Sequence, residues 1–259
     1  MSDWPALSHF AAAIGDPRFA LAIFISVLSG AVRGFSGFGS ALIYIPLMSA
    51  VYGPQTAAPS FLLIDFATGL AFLSTVWRRA VWTEILPLVV ASTATAQAGA
   101  WILRHADPTT LRWGIAGLVA VLIPILASGW RYHGRPILAV TLAVGALAGI
   151  LGGAVQISGP PIVLYWLGSA TDIAVVRANF VAYFALFAAV LIFTYQTTGL
   201  ITADVIALAL LIGPLHIAAM WAGGKLFDRA SERTYRRAAY VIVLAAALVS
   251  LPLFDGWLR

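Results

Sequence analysis

The chain has 259 residues, of which 61% are hydrophobic and only 10% charged, with a formal net charge of +5. Soluble domains carry about 25% charged residues, so that class is excluded, and no polar run is long enough for a separate soluble domain. The absence of cysteine excludes disulfides, iron–sulfur clusters and thiolate chemistry.

Basic residues are scattered through short loops, which fits orientation in a membrane and argues against a nucleic-acid partner. The start, Met1-Ser2-Asp3-Trp4-Pro5, lacks the basic region of a signal peptide, so the first hydrophobic helix is expected to remain in the mature protein. A first apolar run spans 19–32 and meets a glycine-rich break, Gly34-Phe35-Ser36-Gly37-Phe38-Gly39-Ser40. The short run 41–52 that follows reaches only about 18 Å as a helix, against a hydrocarbon core of about 30 Å. Three full-length spans are expected at 56–76, 84–103 and 111–128, closed by a polar loop, Gly129 to Pro136.

The second half repeats the plan. Run 137–151 leads into Gly152-Gly153-Ala154-Val155-Gln156-Ile157-Ser158-Gly159-Pro160-Pro161, and a stub is expected to start at Ile162. Spans are expected at 173–195, 203–223 and 238–254. A fixed shift near 120 residues superimposes the halves, carrying Gly39 onto Gly159 and bringing Gln97 and His216 to similar depth. The fold class is therefore an all-α polytopic membrane protein of two repeats, 1–129 and 137–259, joined by a cytoplasmic linker, 130–136. Each repeat is a glycine-rich broken helix pair followed by three transmembrane helices.

The chain holds 15 Lys and Arg residues, and they orient the halves. If each break makes no net crossing, the halves are inverted. Arg78, Arg79, Arg131, Arg135, Arg177, Lys225, Arg229, Arg233, Arg236 and Arg237 then lie inside, and Arg18, Arg104, Arg112 and Arg259 outside. Parallel halves move Arg78, Arg79, Arg131 and Arg135 out and bring Arg104 and Arg112 in. The positive-inside rule therefore favours inversion, with both termini outside.

Glycine and Pro-Pro are poor choices for a helix interior, so two such stretches within apolar surroundings predict broken helices. Half-helices beginning after the breaks would aim their N-terminal N–H groups at the membrane interior, and opposed N-termini describe an anion site. Candidate substrate-binding residues are Arg33, Ser36, Gly37, Gly39, Ser40, Gln156, Ser158, Gly159, Arg177 and Asn179. Arg33 stands deep in its run, where a guanidinium needs a cavity or a partner. Arg177 could equally snorkel to the interface. Glycines before the breaks, such as Gly30, Gly34, Gly149 and Gly153, have the spacing of close helix packing. Asp65, an acid near the centre of a span, and His216 are candidates for proton coupling. No catalytic or metal-ligating motif and no cofactor-binding motif is present.

The stretch Gly34 to Leu47, a glycine cluster, aliphatics and then Pro46-Leu47, resembles the first motif of the sulfite exporter TauE/SafE permeases. Gly152 to Leu164, a glycine cluster with Pro-Pro and aliphatics, is similar to the second. Arg177-Ala178, Gly199-Leu200-Ile201 and Gly223-Gly224-Lys225-Leu226-Phe227 follow in the same order. Where the family often has three consecutive glycines, this chain has Gly37-Phe38-Gly39-Ser40. The resemblance implies a secondary transporter, not an enzyme, that exports small sulfur-containing anions such as sulfite or organosulfonates from a bacterial inner membrane. Its partners would be the anion and the lipid bilayer; the oligomeric state is left open. An uncoupled anion channel or facilitator, or a membrane-embedded enzyme or assembly factor, remains the alternative.

Overall fold

The computed structural model describes residues 4–36, 39–128, 137–166, 172–227 and 232–254. Among these the chain is helical throughout and no strand occurs. The helices are α1 (Leu7–Gly15), α2 (Phe19–Ser36), α3 (Ser40–Tyr52), α4 (Pro54–Val76), α5 (Trp82–His105), α6 (Pro108–Ser128), α7 (Leu138–Val155), α8 (Gly159–Trp166), α9 (Ile173–Thr197), α10 (Ala203–Phe227) and α11 (Glu232–Val249). Helices α5, α6, α7, α9 and α10 are each long and apolar enough to cross a membrane, and a sixth span results if α1 and α2 are taken together. The chain is a polytopic membrane protein.

Local chemistry sets the element ends. Gly39 starts α3 with φ 93°, a backbone that a side chain rarely adopts. Asp172 starts α9 by accepting a hydrogen bond from the amide of Ala174 at 2.8 Å. Pro46, Pro59, Pro87, Pro124 and Pro214 lie inside helices, where neighbouring elements in a membrane protein can take over the freed carbonyls. Helix α1 has no counterpart in the sequence expectation, which begins the first run at Phe19. At the corner between α1 and α2, the Arg18 guanidinium hydrogen-bonds both carboxylate oxygens of Asp16, at 3.0 and 2.7 Å. That pairing holds the Asp16 carboxyl below the usual carboxylate range.

The chain divides into two compact units, one comprising 1–64, 106–124 and 199–259, the other 65–105 and 125–198. In the first, α2 packs along α10, with α3 against α2 and α11. A Cβ on Gly34 would overlap the Met220 carbonyl, and one on Gly30 the His216 carbonyl, so the α2 and α10 backbones touch. In the second, α7 packs along α5, and α9 also lies against α5. There a Cβ on Gly153 would overlap the Ala96 carbonyl, and one on Gly149 the Ser92 carbonyl. Contacts advance in the same direction on both helices of each pair, so each pair is parallel.

The two pairs share one register. Gly30 and Gly34 do in one what Gly149 and Gly153 do in the other. Ser26 donates to the Ile212 carbonyl at 3.1 Å, and Gly145 occupies the matching place over the Leu88 carbonyl. This register matches His216 with Ser92, more than a turn before the Gln97 that a uniform shift selects. The difference arises because α5 and α10 are offset from their repeat by a few residues more than α2 and α7.

Candidate functional site

The first break is built by the end of α2 and the start of α3. Ser26, Ser29 and Arg33 follow an i, i+3, i+7 spacing, which puts them along one face of α2. Ser29 Oγ lies 3.4 Å from His216 Nδ1 on α10 and donates to the Ser26 carbonyl at 3.1 Å. One turn beyond, Arg33 NH1 donates to Ser40 Oγ at 3.3 Å. His216 and Ser40 are buried, with 1% and 3% of their surfaces exposed, and Arg33 is half-buried. Phe61 meets the His216 ring edge-on, centroids 6.4 Å apart, and the Tyr44 hydroxyl lies 3.0 Å from Ser60 Oγ. A row of hydroxyls, an imidazole and a guanidinium thus runs through an apolar unit to the start of α3.

That start is electrostatically positive. The N-cap residue of α3, Gly39, has no side chain with which to cap it, and the first amides of any helix lack intrahelical acceptors. Aligned peptide dipoles put about half a positive charge at a helix N-terminus, and here a guanidinium stands beside it. An anion with several oxygen acceptors is the ligand such a group could hold. Gly39 and Ser40 are part of this arrangement. Ser36 is the last residue of α2, and Gly37 lies outside the described residues.

The second break differs in kind. Helix α7 ends at Gln156, whose left-handed backbone (φ 56°) is uncommon for a residue other than glycine. Its Nε2 donates to the Tyr195 hydroxyl at 3.2 Å, and Tyr195 donates to the Gly153 carbonyl at 2.7 Å. Tyr195 thereby serves the carbonyls left open at the end of α7. Helix α8 starts at Gly159, not at the expected Ile162, so Pro160 and Pro161 fall within its first turn. Proline is well accepted there but supplies no N–H, which leaves α8 fewer donors for an anion than α3. Ser158 is buried beside that turn, and the space around Gly159 is nearly open, with Phe184 the nearest neighbour of an added Cβ.

Two candidates sit elsewhere. Asn179 is fully buried and structurally engaged: Oδ1 accepts from the Val81 amide at 2.8 Å, and Nδ2 donates to Glu84 Oε2 at 3.1 Å. The same oxygen accepts from Trp166 Nε1 at 3.2 Å, which ties the end of α8 to α5 and α9. Arg177 is exposed near the start of α9. Asp65 is half-buried and falls in the second compact unit, whereas Arg33 belongs to the first. The sequence reading passed over Ser26, Ser29, Glu84, Trp166 and Tyr195. The serines announce themselves by helical spacing with Arg33, and a buried indole requires an acceptor.

A family model described as sulfite exporter TauE/SafE matches residues 22–250, a range that includes both breaks, all of α3 to α11 and all but the first residues of α2. No match to a curated protein or to a solved structure was found.

Proposed function

The chain belongs to the sulfite exporter TauE/SafE family, and from that premise we propose that it is a secondary transporter exporting a small sulfur oxyanion or organosulfonate. The anion is held at the first break by Arg33, Ser40 and the amides that open α3 beyond Gly39, and the sequence pattern adds Ser36 and Gly37 as candidates. The observation that carries this reading is Arg33 donating to Ser40 at the start of a helix whose N-cap residue is Gly39. Gln156, Ser158 and Gly159 form a separate, less electropositive candidate site at the second break. His216 and Asp65 are the groups through which export would be coupled to protons.

The protein resides in a bacterial inner membrane with both termini outside, and its halves run in opposite directions. The distribution of Lys and Arg supports that orientation, and the shared register of the α2–α10 and α7–α5 pairs supports descent from one repeat. The test is a thermal-shift screen of purified protein against sulfite, sulfate, thiosulfate and small sulfonates. A ligand that binds only the native state raises its melting temperature. At least one sulfur oxyanion is expected to do so, and Arg33→Ala is expected to remove that shift. An equal shift in Arg33→Ala, or none with any of these anions, would overturn the site.

A further inference from the structure

Helix α1 meets α2 at 89° across Asp16-Pro17-Arg18. The corner is fixed: Arg18 binds Asp16 through two nitrogens, donates through NH1 to the Val51 carbonyl at 3.2 Å, and covers the Tyr52 ring at 4.7 Å. Because α2 and α10 run parallel, their starting ends share a level, marked by Asp16 and Arg18 on one and by Asp204 on the other. Asp204 is 80% exposed and lies 4.0 Å from His9 Nε2 of α1. These charges mark where the spans leave the hydrocarbon, and α1 runs across the spans at that level.

Its two faces differ. His9, Phe10 and Ala13 are half-buried on the side toward α10. Leu7, Ala11 and Ile14, spaced i, i+4, i+7, form one face that turns away from the protein, with Leu7 87% and Ile14 57% exposed. Trp4 just ahead is 82% exposed. Leu21, Phe24 and Val27 of α2 are exposed as well. A helix with one apolar face, held at right angles to a span at its charged end and preceded by a tryptophan, has the form of an interfacial helix.

We propose that α1 is an interfacial anchor, lying in the plane of the bilayer with Leu7, Ala11 and Ile14 sunk into the boundary between phospholipid headgroups and acyl chains. The chain has no cysteine, so Leu7→Cys, Ala11→Cys and Ile14→Cys each give a unique spin-label site. The full-length protein is reconstituted into phosphatidylethanolamine and phosphatidylglycerol vesicles, and access of oxygen and of a nickel chelate is compared. All three labels are expected to favour oxygen and to sit at one shallow depth. A helix directed along the membrane normal would separate positions 7 and 14 by about 10 Å, at about 1.5 Å per residue. A depth difference of that size, chelate access equal to that of a label in water, or exclusion of both reagents by a second copy would each overturn the proposal. Three positions keep the depth comparison available if one variant fails to fold.

Discussion

Asn179 Nδ2 donates to Glu84 Oε2, and Trp166 Nε1 donates to the same oxygen. One carboxylate oxygen therefore satisfies two buried donors on different helices. Glu84→Ala removes the oxygen that accepts from both, at about 1–3 kcal/mol for each lost bond. Glu84→Gln keeps an acceptor oxygen and is expected to cost less than half as much. Chemical unfolding in detergent measures the difference, and wild-type stability in Glu84→Ala would mean these bonds are not made in the folded protein.

Gly34 and Gly153 let two helix backbones touch, whereas a Cβ at Gly114 or Gly117 on α6 meets nothing within 4 Å. Gly34→Ala and Gly153→Ala should force the paired helices apart and lower the melting temperature. Gly114→Ala and Gly117→Ala should be neutral or raise stability by up to about 1 kcal/mol, since alanine is the better helix former. Parallel thermal melts of the four variants check both signs at once.

Ser40→Ala removes the hydroxyl that receives Arg33 but leaves the guanidinium and the α3 amides. A lost hydrogen bond of about 1 kcal/mol weakens anion affinity by about fivefold. Arg33→Ala should weaken it much further, because charge is lost as well. Titrating the thermal shift with the best anion from the screen orders the two, and a larger loss in Ser40→Ala would contradict the role given to Arg33.

His216 lies 3.4 Å from Ser29, while Ser92 holds the matching place in the other helix pair. If His216 carries the coupled proton, His216→Asn should transport at a rate indifferent to an imposed pH gradient while still binding anion. Proteoliposome flux with and without the gradient measures this. A retained response would move the coupling role to Asp65.

Arg112, buried on α6, donates through Nε and NH2 to the Ser250 carbonyl at 3.1 and 2.8 Å, just past the end of α11. Lysine cannot reproduce that fork. Arg112→Lys is expected to destabilise the protein by about 1–2 kcal/mol, and hydrogen exchange should rise at the end of α11 before it rises in α2.

Some of this was legible in the sequence for identifiable reasons. Gly39 signals a break because the position needs a positive φ. Arg33 stands out because a guanidinium is costly deep in an apolar run, and the structure gives it Ser40 as a partner. Other features depend on distant partners. Gln156 gives no local sign of a left-handed backbone, since Tyr195 on α9 holds it there. Pro160 and Pro161 read as a barrier before the half-helix, whereas they form its first turn. Asn179 is a candidate ligand donor by residue type alone, and its bonds to Glu84 and Val81 come from neighbours in space that local sequence does not show. Helix α1 is too short and alanine-rich to register as a span, and its bend rests on the Asp16–Arg18 pairing.

The pairing of α2 with α10 and of α5 with α7 has a consequence for how the protein is made. Helix α2 emerges early from the ribosome, yet the backbone groove that accepts it belongs to a segment whose contacting residues come 186 positions later. During that interval the glycine face around Gly30 and Gly34 has only lipid or the insertion machinery to lean on. Insertion can therefore proceed span by span, but assembly of the first compact unit must await the last part of translation. A chain severed between 129 and 136 should regain its structure only when both fragments are synthesised together, as two halves that each carry the other's missing partner.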